Sequence, residues 1–418
     1  MGNLEAVELG LREALLKDGR QLLQNLLEHC AAQQPDWTSQ PGEKCHPDRS
    51  KKVDTLFGSI HIRRDYFYQA AQRKGRVPLD EALGLMDGSS PGLVRLASRA
   101  AARSGYAAAS QDLDALAGIK IEGRQIQRIV QQSGPRIGSE LRGGVCVLEP
   151  AIPIMYVQVD GTGVPMVPEE LVGRKGKQPD GSAKTREVKL GCVFTQTTTD
   201  AEGHPLRDHN STTYVGSFES AEPFGLLIRQ EARRRGMGSA RVVVFVGDGA
   251  AWVWELARLN FPHAVCILDF YHALEHLNAL CKTLYAEEKW ARRMLELWSH
   301  QMEEDGIAEV VASARRRLRQ LDPTLQETVE KQIAYFETNQ ERMRYKTYRQ
   351  QAYFYGSGVV EAGCKTVVGQ RLKQSGMLWG RPGAQSVLDL RCALLGNRWN
   401  ECWNRIHQSD YLQIRAAA

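Results

Sequence analysis

The chain contains no CxxC pair, no low-complexity tract, no internal repeat and no apolar run of membrane-spanning length. A membrane span needs roughly 18 consecutive apolar residues, so the sequence predicts no membrane partner. Cysteine is present but unpatterned: nine residues, an odd number at wide spacings. That argues against a disulfide framework and for a reducing cytoplasm. From Met1 to Lys17 the pattern is amphipathic, includes acidic residues and lacks a cleavage site, which predicts no secretory signal. A strong charge of one sign is also missing. Lys and Arg number 54 against 49 Asp and Glu, a net +5 that permits a polyanion partner without requiring one. What is there is ordinary for globular protein: 42% hydrophobic and 25% charged residues over 418 positions. That composition excludes wholesale disorder, and the length suggests roughly two to four domains.

Residues 1–30 read as a helix with Leu4, Val7, Leu11, Leu15, Leu22 and Leu26 on one stripe. A polar stretch from Gln33 to Arg49 follows. Val53–Phe57 and Ile60–Tyr68, separated by Gly58-Ser59, then suggest a β-hairpin. The first unit is thus placed at 1–90. Residues 91–147 read as helical, with Ser110–Ala117, a break at Gly118, and a new start at Gly123. Leu113, Leu116, Ile121, Ile126 and Ile129 would share a core. This is the outline of a helix-turn-helix, whose second helix would present Arg124 and Arg128 to DNA; a plain helical hairpin fits the same pattern.

After Pro150 three short strands, Ile154–Val159, Val188–Thr195 and Thr212–Val215, precede a helix at Pro223–Arg235. Arg241–Val246 and Ala264–Leu268 then alternate with helices. The expected class is multidomain α+β, with a mixed sheet covered by helices. The element order β-β-β-α-β-α-β-α is that of an RNase H-like core. This core is placed at 148–285 and 351–418, interrupted by a helical insertion at 286–350.

The acids fall in informative places. Asp160 in Asp160-Gly161-Thr162-Gly163 and Asp248 in Gly247-Asp248-Gly249 each follow an apolar strand. Ligands of open α/β sheets bind at that edge, and the neighbouring glycines leave room for close approach. Glu361 opens a helix after Ser357, a plausible N-cap. Two strand-end aspartates and a helical glutamate are the oxygen donors that two hard Mg²⁺ ions require for in-line phosphoryl displacement.

Several motifs carry a resemblance. They are Asp160-Gly161-Thr162-Gly163-Val164-Pro165, Gly247-Asp248-Gly249-Ala250 with Trp252 and Trp254, Asp269-Phe270-Tyr271-His272, and Ser357-Gly358-Val359-Val360-Glu361-Ala362. Cys364-Lys365, Gly369–Lys373 and Ser375-Gly376-Met377 with Trp379 continue it, as do Thr55–Gly58, Arg63-Arg64 and Leu79–Leu85. Together they resemble the DDE transposases of bacterial insertion sequences, most closely the ISKra family, related to the Mutator-like group. The resemblance implies an enzyme that cleaves and transfers DNA strands at the terminal inverted repeats of its element. It also implies Asp160, Asp248 and Glu361 as catalytic and metal-binding triad with two Mg²⁺ or Mn²⁺ ions. A homo-oligomer associated with the bacterial nucleoid is expected, because two DNA ends must be held. Asp269 and His272 take supporting roles, and Lys365, Arg371 and Lys373 are expected to meet strand phosphates beside the glutamate. The 88 residues between the aspartates suit three strands and a helix, and the 113 from Asp248 to Glu361 leave room for the insertion. Family members carry a CxxC zinc ribbon near the hairpin. Here only Cys30, Cys45 and His46 lie nearby, and no structural zinc is expected.

Two other readings remain. His272-Ala273-Leu274-Glu275-His276 matches the HxxEH pattern of zinc peptidases, with both histidines one helical turn apart. The chain could also be a transposase-derived DNA-binding protein without catalytic activity.

Overall fold

The computed structural model describes residues 3–32, 38–143, 152–176 and 178–407. The chain divides into two compact units. One comprises Met1–Glu140, Pro382–Leu394 and Arg398–Ala418; the other comprises Leu141–Arg381 and Leu395–Asn397.

In the first unit, helix α1 (Leu4–Ala32) precedes strands β1 (Glu43–Thr55), β2 (Gly58–Gln69) and β3 (Lys74–Arg76), which form an antiparallel sheet in that order. Val53, Ile60, Ile62 and Leu79 form its core, against which Leu23 and Leu27 of α1 pack. The hairpin turns at Leu56-Phe57, two residues before the expected Gly58-Ser59. The Thr55 hydroxyl closes the loop by donating to the Gly58 carbonyl at 2.7 Å and accepting the Phe57 amide at 3.1 Å. Gly58 there takes φ +105°, a conformation that favours glycine. β1 also begins inside the stretch read as a polar loop, because Lys44, Cys45 and His46 pair with Tyr68, Phe67 and Tyr66 across the ladder.

Helices α2 (Pro78–Ala82), α3 (Pro91–Arg103), α4 (Tyr106–Ala117) and α5 (Gly123–Arg142) follow. α4 stops at Gly118, left-handed at φ 69°, whose amide bonds the Asp114 and Leu113 carbonyls. Leu113, Ile121, Ile126 and Ile129 are buried as the pattern requires, but Leu116 is 80% exposed and belongs to no core. On α5, Arg124 is exposed, whereas Arg128 pairs with Asp87 at 2.9 Å and Gln125 donates to Asp54 at 2.8 Å. The helix Arg381–Leu395 differs from expectation, since 382–394 joins this unit rather than the sheet domain. Arg391 is buried and donates to the Ala102 carbonyl, and a Cβ on Gly134 would stand 2.4 Å from that of Ser386. The boundary expected at 147/148 lies outside the described residues, as does the side chain of Cys30.

The second unit is built on β4 (Ile152–Pro165), β5 (Thr185–Gln196), the two-residue strands β6 (Thr198–Thr199) and β7 (Pro205–Leu206), then β8 (Thr213–Ser217), β9 (Ala240–Gly247) and β10 (Val265–Leu268). Five of these form one mixed sheet, ordered β10-β9-β4-β5-β8. β4, β5 and β8 are antiparallel neighbours, while β9 and β10 run parallel to β4. Met155, Val157 and Val159 of β4 face Phe224, Ile228, Val253 and Leu256 of α6 (Ala221–Arg234) and α7 (Ala251–Asn260). Burial on this face and alternation along β4 follow from the two-residue period of a strand. Helix α8 (Phe270–Leu284) leaves β10. It leads into α9 (Glu288–Glu303), α10 (Ile307–Leu318), α11 (Pro323–Asn339) and α12 (Tyr345–Gln350), the region expected as an insertion. α13 (Gly358–Gly363) then continues into a π-helical turn, Cys364–Gly369. Among the described residues no helix is long and apolar enough to cross a membrane.

Candidate active site

Asp160 lies inside a strand rather than at its end, because β4 continues to Pro165 against β5, with Asp160 opposite Leu190. What ends near it is the parallel pairing with β9, whose last registered pair is Gln158 and Val246. Asp160 follows Gln158 by two residues along β4, and Asp248 is the first residue past the end of β9, so both aspartates sit just beyond the end of the parallel pairing.

The opposite β4 residues, Tyr156, Gln158 and Asp160, make a ladder of contacts with the segment 353–364. The Tyr156 hydroxyl accepts the Phe354 amide at 3.1 Å. Gln158, fully buried, donates to the Gly356 carbonyl at 3.0 Å and accepts the Val360 amide at 3.1 Å. Asp160 receives a hydrogen bond from the Cys364 thiol and its neighbour's amide, Gly161 N, at 2.6 Å. The helix carrying Glu361 is thereby fixed over the aspartate strand. In the sequence, Gln158 carries one signal, a polar residue within an apolar strand, and Tyr156 carries none.

Glu361 is exposed, and its Oε1 accepts the Ser357 hydroxyl at 2.6 Å. Ser357 therefore orients the glutamate side chain and makes no side-chain cap of its helix. Burial is the main cause that raises the Asp160 carboxyl above the usual carboxylate range. The charges of Asp248 and Glu361 push in the same direction, and the Cys364 and Gly161 hydrogen bonds oppose it. Three acids separated by 88 and 113 residues thus share one electrostatic neighbourhood.

Asp269 is 1% exposed and ties three elements together. Its amide donates to the Gly247 carbonyl at 2.8 Å, its Oδ1 accepts the His272 amide at 2.6 Å as the cap of α8, and its Oδ2 accepts the Ser357 amide. It is a positioning residue, connected to His272 through backbone and not through the imidazole. The His272 Nδ1 lies 3.9 Å from Glu275, and its ring is 5.5 Å from that of His276. His276 stacks on Tyr335 at 3.8 Å. Burial first, then the His272 charge, lowers the His276 pKa. The Tyr335 hydroxyl donates to the Asp248 carbonyl at 3.2 Å, so α11 reaches back to the aspartate loop. Gly249, at φ +95°, makes room for it: a Cβ there would come within 2.8 Å of the Tyr335 ring.

The three expected cations separate. Lys365 is exposed, and among the described residues no ion pair joins it to Glu361. Lys373 is exposed and donates to the Thr162 hydroxyl. Arg371 corrects the expectation: it is fully buried, with its guanidinium 5.1 Å from the Trp379 ring centroid and bonded to Met377 Sδ. A side chain held in the interior cannot meet a strand phosphate.

For metal, Asp160, Asp248 and Glu361 present carboxylate oxygens, the donors hard divalent cations prefer. Burial, and after it the charges of Asp248 and Glu361, disfavour the ionised Asp160 carboxyl, and a cation bound there would offset both. Their ligand atoms are not gathered into a single-ion cage. Among the described residues, only Asp200, Glu202 and His204 bring three such ligand atoms within 4.8 Å of one another, and that group could hold one ion. No protein-family model matches the chain, and no curated protein matches it in sequence.

Proposed function

We propose that the chain is a DDE-type DNA transposase, cutting and joining strands by phosphoryl transfer at Asp160, Asp248 and Glu361. The observation that carries this reading is the neighbourhood of three carboxylates delivered by β4, the loop after β9 and α13, with both aspartates just past the end of the β4–β9 pairing. The sheet order adds support: three antiparallel strands followed by two parallel ones, with β4 central, is the order expected of an RNase H-like core. The helices of 288–350 fill the place expected for an insertion.

Two Mg²⁺ or Mn²⁺ ions bound by the three carboxylates would activate the attacking oxygen and stabilise the leaving one. The chain's own residues prepare that site. Cys364 and Gly161 hold the Asp160 carboxyl, Ser357 holds Glu361, and Asp269 and Gln158 fix the start of α13. Gly249 lets the Tyr335 ring close on the Asp248 loop, and Gly161 leaves room for the Glu187 carboxylate beside the Asp160 strand. Lys365 and Lys373 offer exposed ammonium groups to the phosphates of a bound strand, contacts that set position rather than sequence. Arg124 on α5 is a further solvent-facing cation for duplex DNA. The expected partners are terminal inverted repeats and target duplex in the bacterial cytoplasm.

The test is strand cleavage of DNA carrying the ends that flank the gene, with Mg²⁺ or Mn²⁺, by wild type and Asp160→Asn. Metal-dependent nicking at the element ends, lost in the variant, is the expected result. Binding without cleavage by the wild type would replace this reading with that of an inactive DNA-binding descendant.

A further inference from the structure

We propose that α1 pairs two copies of this chain, antiparallel, through an apolar stripe left bare on the helix. Leu4, Val7, Leu11, Leu15, Leu22 and Leu26 are each between 58% and 72% exposed. At 100° per residue they fall within an arc of about 100°, one continuous face. This is not the face that supports the fold. Leu23 and Leu27 pack on the hairpin core, and Leu16 reaches the turn at Gly118. α1 is therefore apolar on two sides, and among the described residues only one of them is covered.

The area favours a second copy as the cover. Each side chain offers roughly 100 Å² of apolar surface, which gives about 600 Å² on one helix. That is as large as the biggest patch on a typical monomer. Two such stripes facing one another bury about 1,200 Å², the lower bound of a specific protein interface. A helix of 29 residues is about 43 Å long, long enough to align all six positions.

Charge selects the orientation. Glu5, Glu8 and Glu13 lie toward the N-terminus, and Lys17 and Arg20 lie in the following turns. Parallel pairing would set Glu8, at the edge of the stripe, beside its own copy and Asp18, which lies within the stripe, against Asp18. Like charges brought together in this way are unfavourable. The antiparallel register that places Leu11 opposite Leu22 also places Val7 opposite Leu26, Glu8 beside Asn25 and Asp18 against Leu15. No acid then faces its own copy. The interface stands independently of the chemistry at Asp160.

Sedimentation equilibrium of the full chain tests this. Wild type is expected at twice the 46.8 kDa chain mass. Leu11→Glu with Leu22→Glu is expected at the single-chain mass with unchanged far-UV circular dichroism, while Leu226→Glu, an exposed leucine of α6, remains dimeric. Leu11→Lys with Leu22→Glu restores the dimer, because antiparallel pairing brings the opposite charges together. A wild type that stays monomeric at the highest concentration, or a double-glutamate variant that stays dimeric, overturns the interface. A Lys–Glu variant that stays monomeric overturns the antiparallel register.

Discussion

Two groups of acids in the sheet unit invite comparison. Asp200, Glu202 and His204 lie within five residues of one another, and their ligand atoms lie within 4.8 Å. Asp160, Asp248 and Glu361 come from three distant elements and keep a wider spacing. The tighter group is explained by its own turn. The Asp200 carboxylate accepts the amides of His204 at 2.8 Å and Glu202 at 3.0 Å and the His204 ring at 3.1 Å. These bonds hold its carboxyl below the usual range. Asp160 is shifted the opposite way, by burial and by other carboxylates. Closeness of ligand atoms is therefore a poor guide to chemistry. Negative charge assembled from afar, where it is unfavourable, is the better one, because local sequence does not account for it.

Substitution should divide the two groups most sharply. Asp160→Asn, Asp248→Asn and Glu361→Gln are each expected to lower strand cleavage by about 10³-fold or more, as loss of a group acting on developing charge does. Asp200→Asn and Glu202→Gln should leave the rate unchanged. A kinetic assay in which the Asp200 variant fails as badly as the Asp160 variant would reverse the comparison.

The next largest effect separates a positioning acid from a turn acid. Asp269→Asn keeps one acceptor oxygen and turns an NH₂ toward either the Ser357 or the His272 amide, donor against donor. Losing a buried charge-assisted bond in this way costs about 1.5–3 kcal/mol. Urea unfolding should show that loss for Asp269→Asn and a change within roughly 0.5 kcal/mol for Asp200→Asn, whose side chain is half-exposed in a surface turn. Equal midpoints for the two variants would show that the tie to α13 is dispensable.

The same contrast between local and assembled features explains what the sequence makes legible. Strand positions, their order and the two strand-associated aspartates follow from apolar runs and glycine punctuation, which are local. Glu361 is singled out by helix position and by resemblance. Tyr156, Gln158, Asp269 and Tyr335 act through partners 80 to 200 residues away, and no window of sequence contains both members of such a contact. The hairpin turn slips by two residues because the Thr55 hydroxyl, a side-chain contribution, outweighs the Gly-Ser dipeptide. The helix Arg381–Leu395 joins the other unit because Gly134 and Ser386 allow close backbone approach, again a long-range fit. Arg371 illustrates the limit for charge: its sequence neighbours Gln370 and Lys373 are exposed, yet it is enclosed beside Trp379.

Surface and interior cations sharpen the point at the level of DNA. Lys365→Ala and Lys373→Ala should each weaken DNA binding and reduce the slope of log affinity against log salt by about 1, through counterion release. Arg371→Ala should leave that slope alone and instead destabilise the fold by about 2–5 kcal/mol, as large-to-small changes in an interior do. A salt titration beside a thermal melt reads both. A flattened slope in Arg371→Ala with an unchanged melt would place Arg371 on the DNA path after all.

The smallest effect, and the one that bears most directly on the two acid groups, is the pH dependence of stability without divalent metal. The Asp160 carboxyl titrates above its unfolded value, so between the two values the folded state holds the proton that the unfolded state has released. Its contribution to stability is complete below the unfolded pKa and is lost as pH rises through the folded one. Asp200 behaves inversely: its contribution is present above the unfolded pKa and is lost as pH falls through the depressed folded one. Asp160→Asn should therefore melt higher than wild type near neutral pH, with the gain vanishing in mild acid, whereas Asp200→Asn should gain nothing there. Adding Mg²⁺ should raise the wild-type melting temperature by mass action and remove the advantage of Asp160→Asn, since the cation offsets the charge that burial penalises. Melts across the acid-to-neutral range, with and without Mg²⁺, measure all of this. If Asp160→Asn melts below wild type in metal-free neutral buffer, the fold does not penalise the ionised Asp160 carboxyl, and the electrostatic distinction between the two groups fails.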